Sequence, residues 1–324
     1  MNRLFLTITI DTENPQNALL KDVYHTDTLL LPERGHYGPR YLLRMFEEYH
    51  IRASWFLNVY EEYWCGDRII GRLCELLRAH GQDIQLHTHP VWLMDKERRK
   101  KIFMSQYSLE EQIFILEKGR EEIYRLSGMY PTAHRGGGYG VNDSTLQALA
   151  RTPMKVDASL LAVSPHCMLR SNHINAIHKL KGVLEFPVSC YQVWDYPKCL
   201  FHRGAPKYKS DLNYSSLQDL ISCCEQMLKF GMPYLNIFMH SFSLYKLFYK
   251  DIDSPAVDFT PDRGTLRRFQ GFLEYVSQKP EIEIVTVREL ERRVDEGMIG
   301  LDQKDDIPAV RKINGRNLGL TWRI

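Results

Sequence analysis

Leu4-Phe5-Leu6-Thr7-Ile8-Thr9-Ile10-Asp11-Thr12-Glu13 opens the chain on an apolar, β-branched run that ends in two carboxylates. The run reads as a buried strand. Asp11 and Glu13 stand two residues apart, and in an extended backbone that spacing turns both side chains to one face. Two acids at the mouth of a core strand repel each other and lose hydration, so a cation must offset the cost. An arginine or a metal ion would serve. The bland alternative is a solvated strand end in which Asp11 caps the following turn.

Outward from that strand, residues 14–39 are rich in Asn, Pro, Gly and His and read as a long functional loop. Helices are predicted over 39–49, 69–80 (closed by Gly81), 109–126 and 142–150, and strands over 53–59, 83–89 and 157–160. A glycine-rich segment covers 133–140; later strands are predicted at 184–188, 235–239 and 282–286, with helices at 266–278 and from 287 onward. Such alternation implies a mainly parallel sheet. Working residues in these sheets gather at the carboxyl ends of the strands. Asp11, Glu13, His87, His89, Arg135, Asp157 and His240 all fall at such ends.

The chain has 324 residues, 44% hydrophobic and 25% charged, the range of ordinary globular proteins and enough for one large α/β domain. With 42 Lys and Arg against 40 Asp and Glu, nothing global points to nucleic acid or a membrane surface as partner. The seven cysteines form no CxxC pair and are odd in number, which argues against a disulfide framework or a zinc ribbon. No window approaches the ~20 apolar residues of a membrane span. A reducing, cytoplasmic setting is the expectation, with neither signal peptide nor anchor.

His87-Thr88-His89-Pro90 is the sharpest local pattern. At a strand end the two imidazoles face the same way and can share one metal ion. Two imidazoles and one carboxylate leave coordination positions open, the catalytic rather than the structural arrangement. The alternative is a satisfied core His87 beside a His89 that caps a turn.

In this order the motifs resemble the polysaccharide deacetylase family, NodB-like proteins of carbohydrate esterase family four, from about residue 4 to 294. Ile8 to Glu13 is similar to the family's D-x-D/E motif, Gly81 to Thr88 to the approach to its histidine motif, and Arg135 with its glycines to the third motif. Asp157 resembles the fourth motif's acid, Phe238-Met239-His240 the L-x-H motif, and Ile284 to Leu290 the usual end of the domain. The resemblance implies a distorted (β/α)7 barrel over residues 1–296, with an insertion at about 191–214 near the mouth, rich in Tyr, Pro, Lys and His, and a tail over 297–324. It implies Asp11 as general base, Glu13, His87 and His89 as ligands of one divalent ion (Zn2+, with Co, Ni or Mn as alternatives), Arg135 orienting Asp11, and His240 as general acid. Asp157 would support the catalytic histidine or arginine, and a backbone N–H near Gly138 and Tyr139 would complete an oxyanion hole. Trp92 and Tyr139 are candidates to contact the sugar. Three departures stand out. Val91 occupies the i+4 position where the family's H-[S/T]-x-x-H motif has its second histidine; Glu13 replaces the commoner Asp; and Gly-Gly-Gly-Tyr replaces Pro-Pro-Tyr, which displaces Tyr139 by one residue.

The implied activity is metal-dependent removal of an N-acyl group, acetyl in the first instance, from an amino sugar, on a nucleotide- or lipid-linked precursor of surface polysaccharide. The rivals are a non-catalytic carbohydrate-binding or assembly protein on a degenerate barrel, and a deformylase or cyclic-amide hydrolase of the same superfamily.

Overall fold

The computed structural model describes residues 3–14, 37–93, 101–196, 205–249, 257–301, 304–313 and 316–317. Strand β1 (Leu4–Thr12) is buried at all nine positions because it is flanked on both edges and covered on both faces. Its even residues Leu4, Leu6, Ile8 and Ile10 enter the main apolar core. Its odd residues Thr7, Thr9, Asp11 and then Glu13 look into the barrel. Along one edge β1 pairs in parallel with β10 (Tyr234–His240); along the other it pairs with β13 (Ile282–Ile284) at its start and β2 (Ser54–Leu57) at its end.

The sheet continues through β3 (Asp83–Thr88), β4 (Ala133–Gly136), β5 (Val156–Asp157) and β7 (Val183–Glu185), all parallel, and ends on antiparallel β6 (His178–Leu180). Helices α1 (Pro39–Glu48), α2 (Asp67–Ala79), α3 (Leu109–Ser127), α4 (Asp143–Ala150), α5 (Leu217–Phe230), α6 (Arg263–Ser277) and α7 (Val287–Asp295) complete the architecture, a distorted (β/α)7 barrel of the NodB type. The barrel is not closed by a ladder between β7 and β10. A connecting segment bridges the gap instead: Phe238 N–H donates to Ser210 O at 2.9 Å, Leu212 N–H to Phe238 O at 3.0 Å and Asn236 N–H to Ser189 Oγ at 2.9 Å.

Two parts of the chain differ from the sequence expectation. The stretch read as an irregular insertion carries β8 (Cys190–Tyr196) and β9 (Lys207–Lys209), which pair antiparallel. Within the span read as a tail, β14 (Ala309–Ile313) pairs in parallel with β8 and antiparallel with β15 (Arg316–Asn317). Strands β8 and β14 meet across more than a hundred residues, so no local pattern announces that pairing. Helix α5 also escapes the pattern reading. Its buried stripe runs through Leu220, Cys223, Cys224 and Met227, and cysteine here is a small apolar residue, not a redox or metal group. Strands β11 (Tyr245–Tyr249) and β12 (Val257–Pro261) form a separate antiparallel pair. Among the described residues no helix is long and apolar enough to cross a membrane.

Helix α3 lies tightly on the sheet at Gly119, where an added Cβ would sit 2.3 Å from Tyr60 Oη and 2.7 Å from Leu86 Cδ1. Tyr60 cannot easily retreat, since its hydroxyl donates to Ile115 O at 2.6 Å. Gly119→Ala would gain about 1 kcal/mol of helix propensity, against ~1–3 kcal/mol for overpacking. A net loss of up to about 2 kcal/mol is expected by urea denaturation. Equal or greater stability would mean that the helix can shift off the sheet.

Candidate metal centre

At the carboxyl end of the barrel, three side chains from two strand ends converge. Glu13 Oε2 lies 2.6 Å from His89 Nε2 and 3.3 Å from His87 Nε2. His87 projects from the last turn of the β3 ladder, and its Nδ1 is held 3.0 Å from Arg135 O, which leaves Nε2 aimed at the carboxylates. Glu13 and His89 each sit one residue beyond their strands. The imidazole of His89 packs on Gly137, where any Cβ would come within 2.4 Å of the ring. That glycine leaves the space the ring occupies.

Electrostatics tie the trio together. Burial alone would raise the Glu13 pKa, but the His89 and His87 imidazoles outweigh it and hold the carboxyl well below the usual range. Burial likewise works against a charged His87, yet Asp11 and Glu13 lift its pKa above the ordinary imidazole value. A positive charge is therefore favoured at this point. The donor set fits a divalent ion: the buried Nε2 atoms of His87 and His89 crowd the Glu13 carboxylate without an aligned hydrogen bond to it, and the three ligand atoms lie within 4.8 Å of one another.

Asp11 stands at the edge of the trio, with Oδ2 3.6 Å from His87 Nε2. Its other oxygen accepts from Arg135 Nη1 at 2.9 Å. Arg135, 1% exposed, crosses the barrel from β4; Nη1 also donates to Thr9 Oγ1 at 3.1 Å, Nε donates to Ala158 O at 2.9 Å, and the guanidinium lies over the Phe56 ring at 4.1 Å. His240, opposite Asp11 in the β1–β10 register, has Nε2 3.7 Å from Glu13 Oε1 and its ring stacked on Phe242. Burial lowers its pKa below the ordinary value, against the pull of Glu13 and Asp11.

Other sequence candidates fall elsewhere. Asp157 pairs with neither Arg135 nor His240. Its Oδ1 lies 2.8 Å from His134 Nδ1 and accepts from Ser159 Oγ at 2.8 Å, and Ser159 Oγ in turn accepts the Gly136 N–H at 2.9 Å. The acid braces the glycine turn from beneath, because β5 ends one pleat below the site. Trp92 is 4% exposed and packs in the main core, so its ring face is not offered to a sugar. Gly138 and Tyr139 are both left-handed, at φ 56° and 61°, a costly conformation for a tyrosine. Tyr139 Oη is 3.2 Å from Lys209 Nζ.

Four further residues bear on the centre without a sequence motif to announce them. Lys209 pairs with Asp211 at 2.8 Å and lies 3.5 Å over the Phe238 ring; Lys209 opposes and Asp211 favours a charged His240. Glu61 and Asn58 lie between the ends of β1 and β3; burial pushes the Glu61 carboxyl up to about 7 despite the N–H groups it accepts from Asn14. Only the third dimension brings these together. Isolated Glu and Lys residues carry no spacing signal.

No protein-family model matches the chain, and no curated protein matches it. Solved structures do. A protein assigned as a polysaccharide deacetylase from Mycobacterium smegmatis is 15% identical, with 95% of this chain and 96% of that one superposed at a TM-score of 0.58. A 4-alpha-glucanotransferase from Thermococcus litoralis is 10% identical over 90% of this chain and 41% of that one, at 0.56. A family 4 carbohydrate esterase from Streptomyces lividans, in complex with acetate, is 12% identical over 88% and 93%, at 0.44. At these identities the likeness is one of fold.

Beneath the site, Glu185 is wholly buried beside Asp157, and burial together with the Asp157 charge pushes its pKa well above the carboxylate range. Folding stability is then full below the ordinary value of 4.5 and falls as pH rises toward the raised folded value. Glu185→Gln removes that titration. Its stability relative to wild type should improve by on the order of 1 kcal/mol per pH unit as pH rises above the ordinary carboxylate value toward the raised folded one, measured by urea unfolding. A pH-independent difference would show that Glu185 ionises normally in the fold.

Proposed function

We propose that this protein is a divalent-cation-dependent hydrolase that removes an N-acyl group from an amino sugar. The observation that carries the reading is the convergence of Glu13, His87 and His89 beside an Arg135-clamped Asp11 at the barrel mouth. Glu13, His87 and His89 would hold the ion, and Zn2+ suits two imidazoles and a carboxylate. When bound, the ion supplies Lewis-acid polarisation of the substrate carbonyl and lowers the pKa of water.

The rest of the chemistry belongs to the side chains. Asp11 takes a proton from the attacking water, and Arg135 holds that carboxylate aimed. The left-handed Gly138–Tyr139 turn, strained as active-site turns often are, presents backbone N–H groups to the oxyanion. His240 protonates the departing amine; its lowered pKa makes the protonated ring a better proton donor than an ordinary imidazolium. The substrate we infer is a nucleotide- or lipid-linked sugar, and Lys209 of β9 reaches the site at the Tyr139 hydroxyl. Asp157 acts through His134 and Ser159 on the turn that bears Gly138.

Release of acetate from N-acetylated amino sugars, free and nucleotide-linked, is the direct test. A chelator should abolish it, and Zn2+, Co2+, Ni2+ or Mn2+ should restore it. Asp11→Asn should lower kcat at least ~10²-fold while the protein still binds metal. A wild-type protein that binds no transition metal and hydrolyses none of these amides would point to the carbohydrate-binding rival.

A further inference from the structure

Two of the three proposed ligands lie where the sheet no longer holds the backbone. β1 ends at Thr12 and β3 at Thr88, so Glu13 and His89 each begin a loop. Between these strands lies β2, and the single turn that follows it, Val59–Glu61, brings a fully buried carboxylate to the gap. Glu61 Oε1 accepts the Asn14 N–H at 2.8 Å and Asn58 Nδ2 at 3.0 Å; Oε2 accepts Asn14 Nδ2 at 2.6 Å. Asn58 extends the bridge both ways: its N–H donates to Thr12 O at 3.0 Å, and its Oδ1 receives the His89 N–H at 3.4 Å.

The residues on either side of Glu13 are thus fixed to the same turn that receives the backbone of His89. We infer that Glu61, with Asn58 as its arm, is a positioning residue that sets the Glu13–His89 spacing for the cation; the inference rests on the reading of Glu13, His87 and His89 as ligands. A buried carboxylate is otherwise a poor investment in stability, and a turn cap alone would not need to reach Asn14. Partners of this kind, one bond removed from the ligands, are worth about 10–100-fold in metal affinity.

The test is competition titration of the full-length, metal-stripped protein with Zn2+ against a chromophoric chelator, with the absorption spectrum of the Co2+ form recorded alongside. Glu61→Ala should weaken Zn2+ about 10–100-fold and alter the Co2+ bands. Glu61→Gln keeps one acceptor oxygen and the side-chain length, and should recover most of the affinity. If Glu61→Ala does not fold, Asn58→Ala cuts the arm to His89 and should weaken Zn2+ in the same direction. A merely structural role would lower the melting temperature of the metal-free variants and leave Zn2+ affinity and the Co2+ spectrum as in wild type; that result overturns the inference. Wild-type protein that binds no Zn2+, or a Glu13→Gln variant that binds it as tightly as wild type, would instead overturn the ligand reading itself.

Discussion

The buried ion pair between Arg135 and Asp11 is the interaction on which the interior of this barrel depends. A guanidinium at 1% exposure is tolerable only if its charge and donors are met, and here they are: a carboxylate, a threonine hydroxyl, a backbone carbonyl and the face of Phe56. Removing either partner of such a pair leaves an uncompensated buried charge, at a cost of ~3–5 kcal/mol. The pair also fixes distances. Arg135 reaches from β4 across the lumen to β1, so the acid at the end of the first strand and the glycine turn at the end of the fourth are held in one frame.

The lumen beneath that pair is polar in an unusual way for a strand so apolar in sequence. Thr7 and Thr9 share the amide of Asn236, whose Nδ2 donates to their hydroxyls at 3.0 and 2.9 Å. Thr9 then accepts from Arg135. The column Thr7, Thr9, Asp11, Glu13 is thereby a graded path from neutral hydroxyls to full carboxylates, each met by a side chain from another strand or strand end. This explains how β1 can be buried at every position and still end in charge. The even face supplies apolar packing, and the odd face supplies hydrogen bonds.

Particular residues show how far sequence reading extends. The i, i+2 spacings of Asp11 with Glu13 and of His87 with His89 are geometric statements about extended chain, and both pairs do lie together at one end of the barrel. The parallel sheet follows from the alternation of strands and helices, and within the main sheet the pairings are parallel except at β6. Asp157 is a different case. Its position at a strand end is legible, but its partner is His134, because the short β5 stops below the plane of the site and its neighbour Ala158 meets Arg135 with a carbonyl instead. Trp92, in a chain whose aromatics mostly read as core, is in sequence only a weak candidate for a sugar platform, and the short turn after β3 folds it inward.

What the sequence by itself determined is what local periodicity can encode: a first strand with its acids on one face, a histidine pair that can share a cation, and the βα alternation that collects strand ends on one side. What only the tertiary structure decided is which groups meet across the sheet. Glu61 between two ligand strands, Lys209 against Tyr139, and the pairing of β14 with β8 all join residues far apart in the chain. Their proximity is set by strand order, shear and helix packing, which are sums over many weak contacts and leave no periodic trace in a single chain.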